Sequence, residues 1–335
     1  MNDQELMRKA LQMAKKGWGL TSPNPIVGAI IVKNGEIVGQ GYHAKAGDAH
    51  AEINAIRDAG KQADGADLYI TLEPCSTHGR TPPCTEAIKN AGIKRVFIGA
   101  LDPNPRHSGI ALLILHEAGV QVFDNILREE CENVNEAFFK WIATGKPFVL
   151  LKQAMTLDGK IATQSGVSQW ITGPEARERV QWLRQWADAI MVGAGTARLD
   201  RPSLKVRNPE NWPRQPRRIV VSRSMTVPEA TEILDQGVTP EVLDGKDWDA
   251  DLRRLGAENV TAILVEGGGE LAASMLRAGE VDKFEFHVAM KILGGRDSRS
   301  VVGGDNPTTI DGALNITNIK TFNVGSDLIL TGYPK

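Results

Sequence analysis

Four residues early in the chain have the types and spacing for zinc chemistry. His50 and Glu52 stand at the start of a helical pattern, Cys75 follows a strand pattern, and Cys84 begins another helical pattern. One imidazole and two thiolates leave the fourth position of a tetrahedral zinc ion open to water, as in catalytic zinc sites. Zinc lowers the pKa of that water, and a nearby carboxylate can carry its proton to a departing amine. The pattern predicts zinc on His50, Cys75 and Cys84, with Glu52 as the catalytic proton shuttle of a hydrolytic deamination.

The loop between the two cysteines is longer than the two residues of the usual deaminase motif. Residues 76–83 read STHGRTPP, a polar stretch in which His78 and Arg80 suit an anionic group beside the metal. A structural zinc site or a metal-free cysteine pair is the alternative interpretation. The other histidines lack partners in the sequence and are expected on the surface or in the core rather than as ligands: His43, His107, His116 and His287.

The segments that would position these residues alternate between helical and strand patterns. An N-terminal helix precedes two β-rich runs about Asn34-Gly35, the sequence of a tight hairpin turn. Helices are predicted near residues 50–60, 84–90, 109–118 and 129–141, with strands at LYITL, RVFIGAL and VQVFD. Such alternation favours a sheet with parallel strands flanked by helices. The cluster Thr144-Gly145-Lys146-Pro147 marks a boundary, so we predict domains over residues 1–145 and 146–335.

The second domain is predicted to be another α/β unit. It begins with the strand FVLLKQAM, continues with a helix after Gly173-Pro174, and adds strands at DAIMVG, RRIVVS and TAILVEGG. The tail contains FEFHVA and strand-like stretches near residues 315–320 and 327–331. We predict these as antiparallel strands added to the edge of the sheet.

Composition and charge favour an enzyme that acts on small molecules. The chain has 335 residues, enough for two hydrophobic cores, and a net charge of -2 from 39 basic and 41 acidic residues. This balance gives no positive field for nucleic acid or an anionic membrane surface. The first residues lack the apolar segment of a secretory signal, and no apolar run approaches the ~20 residues of a membrane-spanning helix. We therefore expect a cytoplasmic protein with no nucleic-acid or membrane partner.

Longer stretches resemble a known family, the bifunctional riboflavin-biosynthesis deaminase/reductases. The deaminase half of that family is similar to TSPNPIVGAIIV, GYHAKAGDAHAE, TLEPCSTHGRTPPC and LDPNP. The reductase half is similar to KQAMTLDGKIAT, SQWITGPEAR, DAIMVGAGTARLDRPSLKVR, ILVEGGGELAASMLRAGEVDKF and KILGG. The resemblance implies an α/β fold class: a cytidine-deaminase-like three-layer α/β/α domain, then a dihydrofolate-reductase-like α/β domain.

The same resemblance implies an activity and its cofactors. The first half would use zinc to deaminate diaminohydroxyphosphoribosylaminopyrimidine, a phosphorylated pyrimidine. The second half would then use NADPH to reduce the ribosyl side chain to ribityl. A homo-oligomer, either dimer or tetramer, is also expected.

The resemblance further assigns residues to these reactions. In the deaminase half it implies substrate contacts through Asn24, Arg80, Asp102 and Asn104. In the reductase half it implies these substrate contacts: Ser168, Arg184, Leu204, Arg207 and Glu266. It implies these contacts to the cofactor: Ala154, Trp170, Thr196, Asp200, Gly267, Gly268 and Gly269. Relatives often carry other residues at these positions: Thr77, Gln181, Arg201, Ser222 and Met290.

The chemistry of two segments fits a bound dinucleotide. Gly267–Gly269 ends a strand pattern and begins a helical one, where backbone N–H groups can approach a pyrophosphate. A plain tight turn is the alternative. Ser222 and Arg223 follow the strand RRIVV and suit the 2′-phosphate of NADPH, which makes Ser222 a further predicted cofactor contact.

For three other side chains the sequence leaves two interpretations open. Arg184 and Arg207 fit either a bidentate clamp on a sugar phosphate or solvated positions on a helix face. Trp170 fits either a stack on the nicotinamide side or a place in the core.

Two other functions stay open at this point. A deaminase of cytidine or of transfer-RNA adenosine, with a non-catalytic second domain, predicts a basic face near the zinc loop, whereas acidic residues are interspersed here. A non-enzymatic zinc-stabilised binding protein would not require Glu52.

Overall fold

The structure is a computed structural model that describes residues 1–77, 82–234, 239–305 and 307–335. It divides into two compact units, Met1–Gly145 and Lys146–Lys335. In the described parts of both units, no helix combines the length and apolar character needed to cross a membrane.

The first unit is built on a five-stranded mixed sheet in the order β2-β1-β3-β4-β5. Its strands are β1 (Gly28–Lys33), β2 (Glu36–Tyr42), β3 (Asp67–Leu72), β4 (Arg95–Ala100) and β5 (Gln121–Phe123). Its helices are α1 (Asp3–Ala14), α2 (Ala51–Ala59), α3 (Cys84–Asn90), α4 (Ile110–Glu117), α5 (Arg128–Asn133) and α6 (Glu136–Thr144), with short 3-10 turns at Lys15–Gly17 and Gly60–Ala63. Strand β1 is antiparallel to β2 and β3, while β3, β4 and β5 are parallel.

Helices cover both faces of this sheet, because successive strand residues point to opposite sides. Ile31 and Ile70 pack with α2, α3 and α4 on one face. Ile30 and Phe97 pack with α1 and α5 on the other. The predicted three-layer α/β/α arrangement is confirmed.

The hairpin between β1 and β2 forms where the sequence predicts it. Asn34 and Gly35 both have positive φ, 53° and 82°. Two consecutive residues in the left-handed region match the right-handed twist of the flanking strands.

The single helix predicted over residues 129–141 is wrong, because the chain breaks between α5 and α6. The Asn135 side chain accepts a hydrogen bond from the Ile26 N–H and donates one to the Ile26 carbonyl, both at 2.9 Å. This side chain is buried and bonds the backbone shortly before β1, and Asn135 is the residue that immediately precedes α6.

The second unit contains an eight-stranded sheet in the order β10-β9-β8-β11-β6-β12-β15-β14. Its strands are β6 (Phe148–Thr156), β7 (Lys160–Ala162), β8 (Ala189–Gly193), β9 (Arg217–Val221), β10 (Glu241–Leu243), β11 (Ala262–Val265), β12 (Lys283–Ala289), β13 (Arg299–Ser300), β14 (Ile316–Val324) and β15 (Asp327–Pro334), of which β7 and β13 pair separately. Its helices are α7 (Pro174–Trp186), α8 (Ala194–Asp200), α9 (Val227–Leu234), α10 (Trp248–Ala257) and α11 (Gly269–Arg277), with a 3-10 turn at Ile310–Gly312.

One part of the predicted tail is also wrong. Strand β12, which contains FEFHVA, runs parallel to β6, whereas β15 and β14 are antiparallel as predicted. An apolar strand pattern carries no information on direction, and β12 follows α11, whose crossover allows the parallel pairing. The parallel strands β6, β8, β9, β10 and β11 thus end at a common edge, where ligands bind in open α/β sheets.

Candidate active sites

The three predicted zinc ligands lie together at the edge of the first sheet. His50 immediately precedes α2, Cys75 lies shortly after β3, and Cys84 is the first residue of α3. The His50 Nδ1 atom lies 3.3 Å from Cys84 Sγ and 3.6 Å from Cys75 Sγ, and the three donor atoms are within 4.8 Å of one another. These separations suit ligands about 2.0–2.3 Å from one tetrahedral ion, and two sulfurs with one imidazole are a donor set that zinc prefers.

The two sulfurs already favour a thiolate. The Cys84 N–H donates to Cys75 Sγ at 3.3 Å. Hydrogen bonding from the Cys84 thiol lowers the pKa of Cys75, and the same contact raises the pKa of Cys84. The pair therefore shares a proton that a bound cation would displace.

Glu52 is buried beside these ligands. Its side chain lies in the first turn of α2, and the residue is 3% exposed. Burial raises the pKa of Glu52 to about 7, against the lowering effect of the His50 charge. A carboxyl group with such a pKa can both accept and release a proton near neutral pH.

A contact that sequence reasoning missed joins His43 to Asn24. The Asn24 amide Nδ2 donates to His43 Nε2 at 3.1 Å, and His43 Nδ1 donates to the Ala49 carbonyl at 3.3 Å. Because the amide nitrogen makes this bond, the Asn24 Oδ1 atom is not needed for the contact with His43. His43 is buried, which agrees with the expectation that it lies on the surface or in the core. It is nevertheless close to the zinc ligands, since its ring centroid lies 5.4 Å from that of His50. No local pattern distinguishes such a histidine from any other core residue.

The other predicted deaminase contacts lie on loops. Asp102 and Asn104 follow β4, where Asp102 Oδ1 accepts from the Asn104 N–H at 2.8 Å and Asn104 Oδ1 accepts from the Arg106 N–H at 3.0 Å. Arg80 and the neighbouring His78 lie outside the described residues.

Two adjoining cavities lie at the edge of the second sheet. The first, termed the glycine-rich cavity, has a volume of about 570 Å³ and is lined by residues that include Gly195, Ser222, Arg223, Gly268 and Gly269. The second, termed the charged cavity, has a volume of about 980 Å³ and is lined by residues that include Lys152, Trp170, Arg184, Arg207 and Glu266. Both are lined by Ile161, Ser168, Thr196, Asp200 and Gly268, so they share a wall.

The cavities gather nearly all the predicted reductase residues. The glycine-rich cavity contains these predicted cofactor contacts: Thr196, Asp200, Ser222, Gly268 and Gly269. The charged cavity contains Ala154, Trp170 and Gly267 together with these predicted substrate contacts: Ser168, Arg184, Arg207 and Glu266. Leu204 does not line either cavity, and its side chain is 1% exposed. Its backbone lies in the left-handed region, with φ at 49°.

The surroundings of Arg184 fit neither of its two interpretations, since the residue is buried and not solvated, and those of Trp170 exclude one. Arg184 donates from Nε and Nη2 to the two Glu266 oxygens, each at 2.7 Å, and from Nη1 to the Lys205 carbonyl at 3.0 Å. Its guanidinium is thus engaged within the protein, and this geometry does not support a phosphate clamp by Arg184. Trp170 is 62% exposed with Arg177 4.6 Å from its ring centroid, so the core interpretation is wrong.

Lys152 is a second residue that sequence reasoning missed. It lies on β6 within the apolar run FVLLKQAM and lines the charged cavity. Burial lowers the pKa of Lys152, opposed by the negative charge of Glu266. The sequence does contain a signal for this residue, a lysine inside an apolar strand. Buried lysines are rare unless they are paired or functional.

Two family models match the chain, one for each unit. The cytidine and deoxycytidylate deaminase zinc-binding region matches residues 1–100. The RibD C-terminal domain matches residues 147–330.

Whole-chain comparisons agree with both models. The chain is 41% identical to the riboflavin biosynthesis protein RibD of Actinobacillus pleuropneumoniae, with 98% of this chain and 95% of that protein covered. It is similar to a solved structure of Acinetobacter baumannii RibD, at 35% identity, 99% coverage of each chain and a TM-score of 0.88. A Thermotoga maritima structure, described as a diaminohydroxyphosphoribosylaminopyrimidine deaminase/5-amino-6-(5-phosphoribosylamino)uracil reductase, matches at 34% identity, 99% coverage of each chain and a TM-score of 0.86.

Proposed function

Because the chain belongs to the RibD family of riboflavin biosynthesis, a bifunctional deaminase and reductase with zinc and NADPH as cofactors, we propose how its two units divide the work. Residues 1–145 deaminate diaminohydroxyphosphoribosylaminopyrimidine, and residues 146–335 reduce 5-amino-6-(5-phosphoribosylamino)uracil. The observation that carries the proposal is the cluster of His50, Cys75 and Cys84 beside the buried Glu52.

In the deaminase unit, His50, Cys75 and Cys84 would hold the metal. Zinc, when bound, supplies the Lewis acidity that makes water a nucleophile near neutral pH. Glu52 would take a proton from the attacking water and pass it to the pyrimidine ring nitrogen. It would then take the proton of the new hydroxyl on the ring carbon and give it to the amine, which leaves as ammonia when its bond to that carbon breaks. The pKa of Glu52, raised to about 7 by burial, supports this shuttle.

Substrate placement in this unit falls to side chains around the metal. The Oδ1 atom of Asn24, oriented by the His43 contact, accepts a hydrogen bond from the pyrimidine. Asp102 and Asn104 contact the ribosyl part. Arg80 meets the phosphate, as its charge and its place in the loop between the cysteines favour.

In the reductase unit, the glycine-rich cavity takes NADPH and the charged cavity takes the pyrimidine. Backbone N–H groups of Gly268 and Gly269, at the start of α11, bind the pyrophosphate, and Ser222 with Arg223 lies at the 2′-phosphate. NADPH supplies, when bound, the hydride for the ribosyl carbon that bears the amine. The two cavities adjoin at Ser168, Thr196 and Asp200, which line both, so the two ligands can meet there.

We also propose a homo-oligomer, dimer or tetramer, that works in the cytoplasm without nucleic acid. The outer strand β14 is largely exposed, with Ile319 and Phe322 open to solvent at 57% and 39%, and such an edge favours pairing with a second copy. Cysteines that bind metal and do not form disulfides are typical of a reducing compartment, and the net charge of -2 gives no attraction for nucleic acid. Light scattering of the purified protein measures the oligomeric state, and a monomeric mass would refute the oligomer.

A two-signal assay tests the division of work. The protein is incubated with the phosphoribosylaminopyrimidine, and ammonia and NADPH oxidation are followed separately. We expect Glu52→Gln to slow ammonia release by about 10²-fold or more, while NADPH oxidation on the deaminated product continues at the wild-type rate. Glu36→Gln, an exposed residue on β2, is the matched control. Undiminished ammonia release in Glu52→Gln would remove the proposed role of Glu52.

A further inference from the structure

Glu73 is a buried acid that the two proposed reactions do not use. It follows β3, lies two residues before Cys75, and is 6% exposed. Its own backbone N–H donates to the Ala100 carbonyl at 2.9 Å, so the residue extends the pairing of β3 with β4. A carboxylate in such a place requires hydrogen-bond donors.

Three backbone N–H groups from one distant segment supply those donors. The Asp102 and Gly109 N–H groups donate to Glu73 Oε2 at 3.1 and 3.0 Å, and the Ala111 N–H donates to Oε1 at 3.1 Å. The segment 102–111 contains the loop of Asp102 and Asn104 and the first turn of α4. One carboxylate thus closes this loop at both ends.

This arrangement joins two parts of the deaminase site. The Glu73 backbone leads directly into the metal ligand Cys75, and its side chain holds the loop that carries the substrate contacts. We propose that Glu73 is a positioning residue for deamination: it fixes the 102–111 segment at a set distance from the zinc ligands, so that the ribosyl phosphate end of the substrate is placed while the pyrimidine lies at the metal. The inference rests on the proposed substrate role of Asp102 and Asn104.

Glutamine at this position tests the idea with little change in shape. Glu73→Gln keeps one oxygen that can accept hydrogen bonds. Its NH2 group replaces the other oxygen and cannot accept from a backbone N–H. We expect the KM for the phosphoribosylaminopyrimidine to rise about tenfold or more, because one or two buried bonds are lost. The zinc content of one ion per chain and the NADPH oxidation rate on the deaminated product stay at wild-type values, which separates positioning from a general loss of the fold. Glu36→Gln again serves as the matched control.

Hydrogen exchange on the zinc-loaded protein provides a second measurement. In Glu73→Gln, faster exchange is expected at the amides of residues 102–111, with β4 still protected. Unchanged KM and unchanged exchange would overturn the proposal, as would a parallel loss of zinc and kcat at unchanged KM, which indicates a role in the metal site alone.

A third variant separates this inference from the proposed site. Asn104→Ala should raise the same KM if the loop contacts substrate. If Asn104→Ala raises KM and Glu73→Gln does not, only the positioning role fails. If neither variant nor Asp102→Ala changes KM, the proposed substrate site itself fails, and with it the inference.

Discussion

At the scale of single residues, buried charges in this protein are held by partners far away in sequence. Burial alone would raise the pKa of Glu266, but the charge and hydrogen bonds of Arg184 keep it below its ordinary value. The Arg184 side chain is 8% exposed and the Glu266 side chain is 13% exposed. Arg184 therefore keeps Glu266 ionised in the wall of the charged cavity, which Lys152 also lines.

Removing one partner of this pair should be costly. Arg184→Met leaves Glu266 buried without its cation, and we expect a loss of about 3–5 kcal/mol in unfolding free energy of the second unit. Urea titration followed by NADPH oxidation measures the loss, with ammonia release as an internal reference for the first unit. The control Arg253→Met removes an arginine whose side chain is 58% exposed, and should cost less than about 1 kcal/mol. Equal effects of the two substitutions would contradict this account.

At the scale of elements, close packing sets the position of α2, the helix that carries Glu52 and follows His50. A β carbon on Gly41 in β2 would lie 2.3 Å from the Ala51 carbonyl oxygen and 2.3 Å from the Ala55 nitrogen. Only glycine allows this approach of helix to strand.

Gly41→Ala should therefore move α2 and disturb the zinc site. We expect a destabilisation of about 1–3 kcal/mol together with weaker zinc retention. Metal analysis after dialysis and thermal unfolding measure the two effects. Gly35→Asn in the hairpin turn is the control, since a β carbon there would meet no atom within 4 Å and asparagine tolerates the positive φ. Full zinc occupancy in Gly41→Ala after the same dialysis would show that α2 does not depend on this contact.

A second pair of elements, α7 and β12, is joined by a network that should respond to acid. Glu285 accepts from Arg179 Nε and Nη2 at 2.7 Å each and pairs with His287 Nε2 at 2.8 Å. Burial would raise the pKa of Glu285, yet these partners lower it to about 2, below the ordinary value of 4.5. Burial also lowers the pKa of His287 from 6.5.

Both shifts predict lower stability at low pH. A group whose folded pKa is depressed stabilises the fold above its ordinary pKa, and this stabilisation disappears as the pH falls towards the folded value. The decline should begin below about 6.5 through His287 and continue from about 4.5 to 2 through Glu285. Thermal unfolding across this range measures it. Glu285→Gln should show a shallower decline below pH 4.5, and an identical slope would refute the role of Glu285.

At the scale of the whole molecule, each unit has its own cores and its own candidate site. The zinc cluster lies in the first unit, and the two cavities are lined by residues of the second. A bifunctional enzyme of this construction needs no shared side chain for its two reactions.

Metal removal should therefore affect one reaction only. After dialysis against a chelator, we expect ammonia release to disappear and NADPH oxidation on the deaminated product to persist, and added zinc should restore the first. Loss of both reactions at unchanged secondary structure would mean that the reductase depends on the metal.

The sequence alone predicts the features that depend on local chemistry. The fold class, the family, zinc and NADPH are confirmed, because metal ligands at the ends of strands and starts of helices, an Asn-Gly turn and a long ordered set of motifs are all readable along the chain. The individual site residues stay predictions, although the structure gathers most of them at two places.

Only the tertiary structure decides which distant groups meet. The Asn24–His43 contact, the Arg184–Glu266 pair and the hold of Glu73 on residues 102–111 join positions 19 to 82 residues apart. Strand β12 runs parallel to β6, far away in sequence, and the side chain of Asn135, between α5 and α6, bonds the backbone of Ile26. Periodicity reports which face of an element is buried, but it does not identify the partner that a buried polar group finds there. The types and spacing of four residues thus predict a zinc deaminase: His50, Glu52, Cys75 and Cys84. Their neighbours in space determine how its substrate is held.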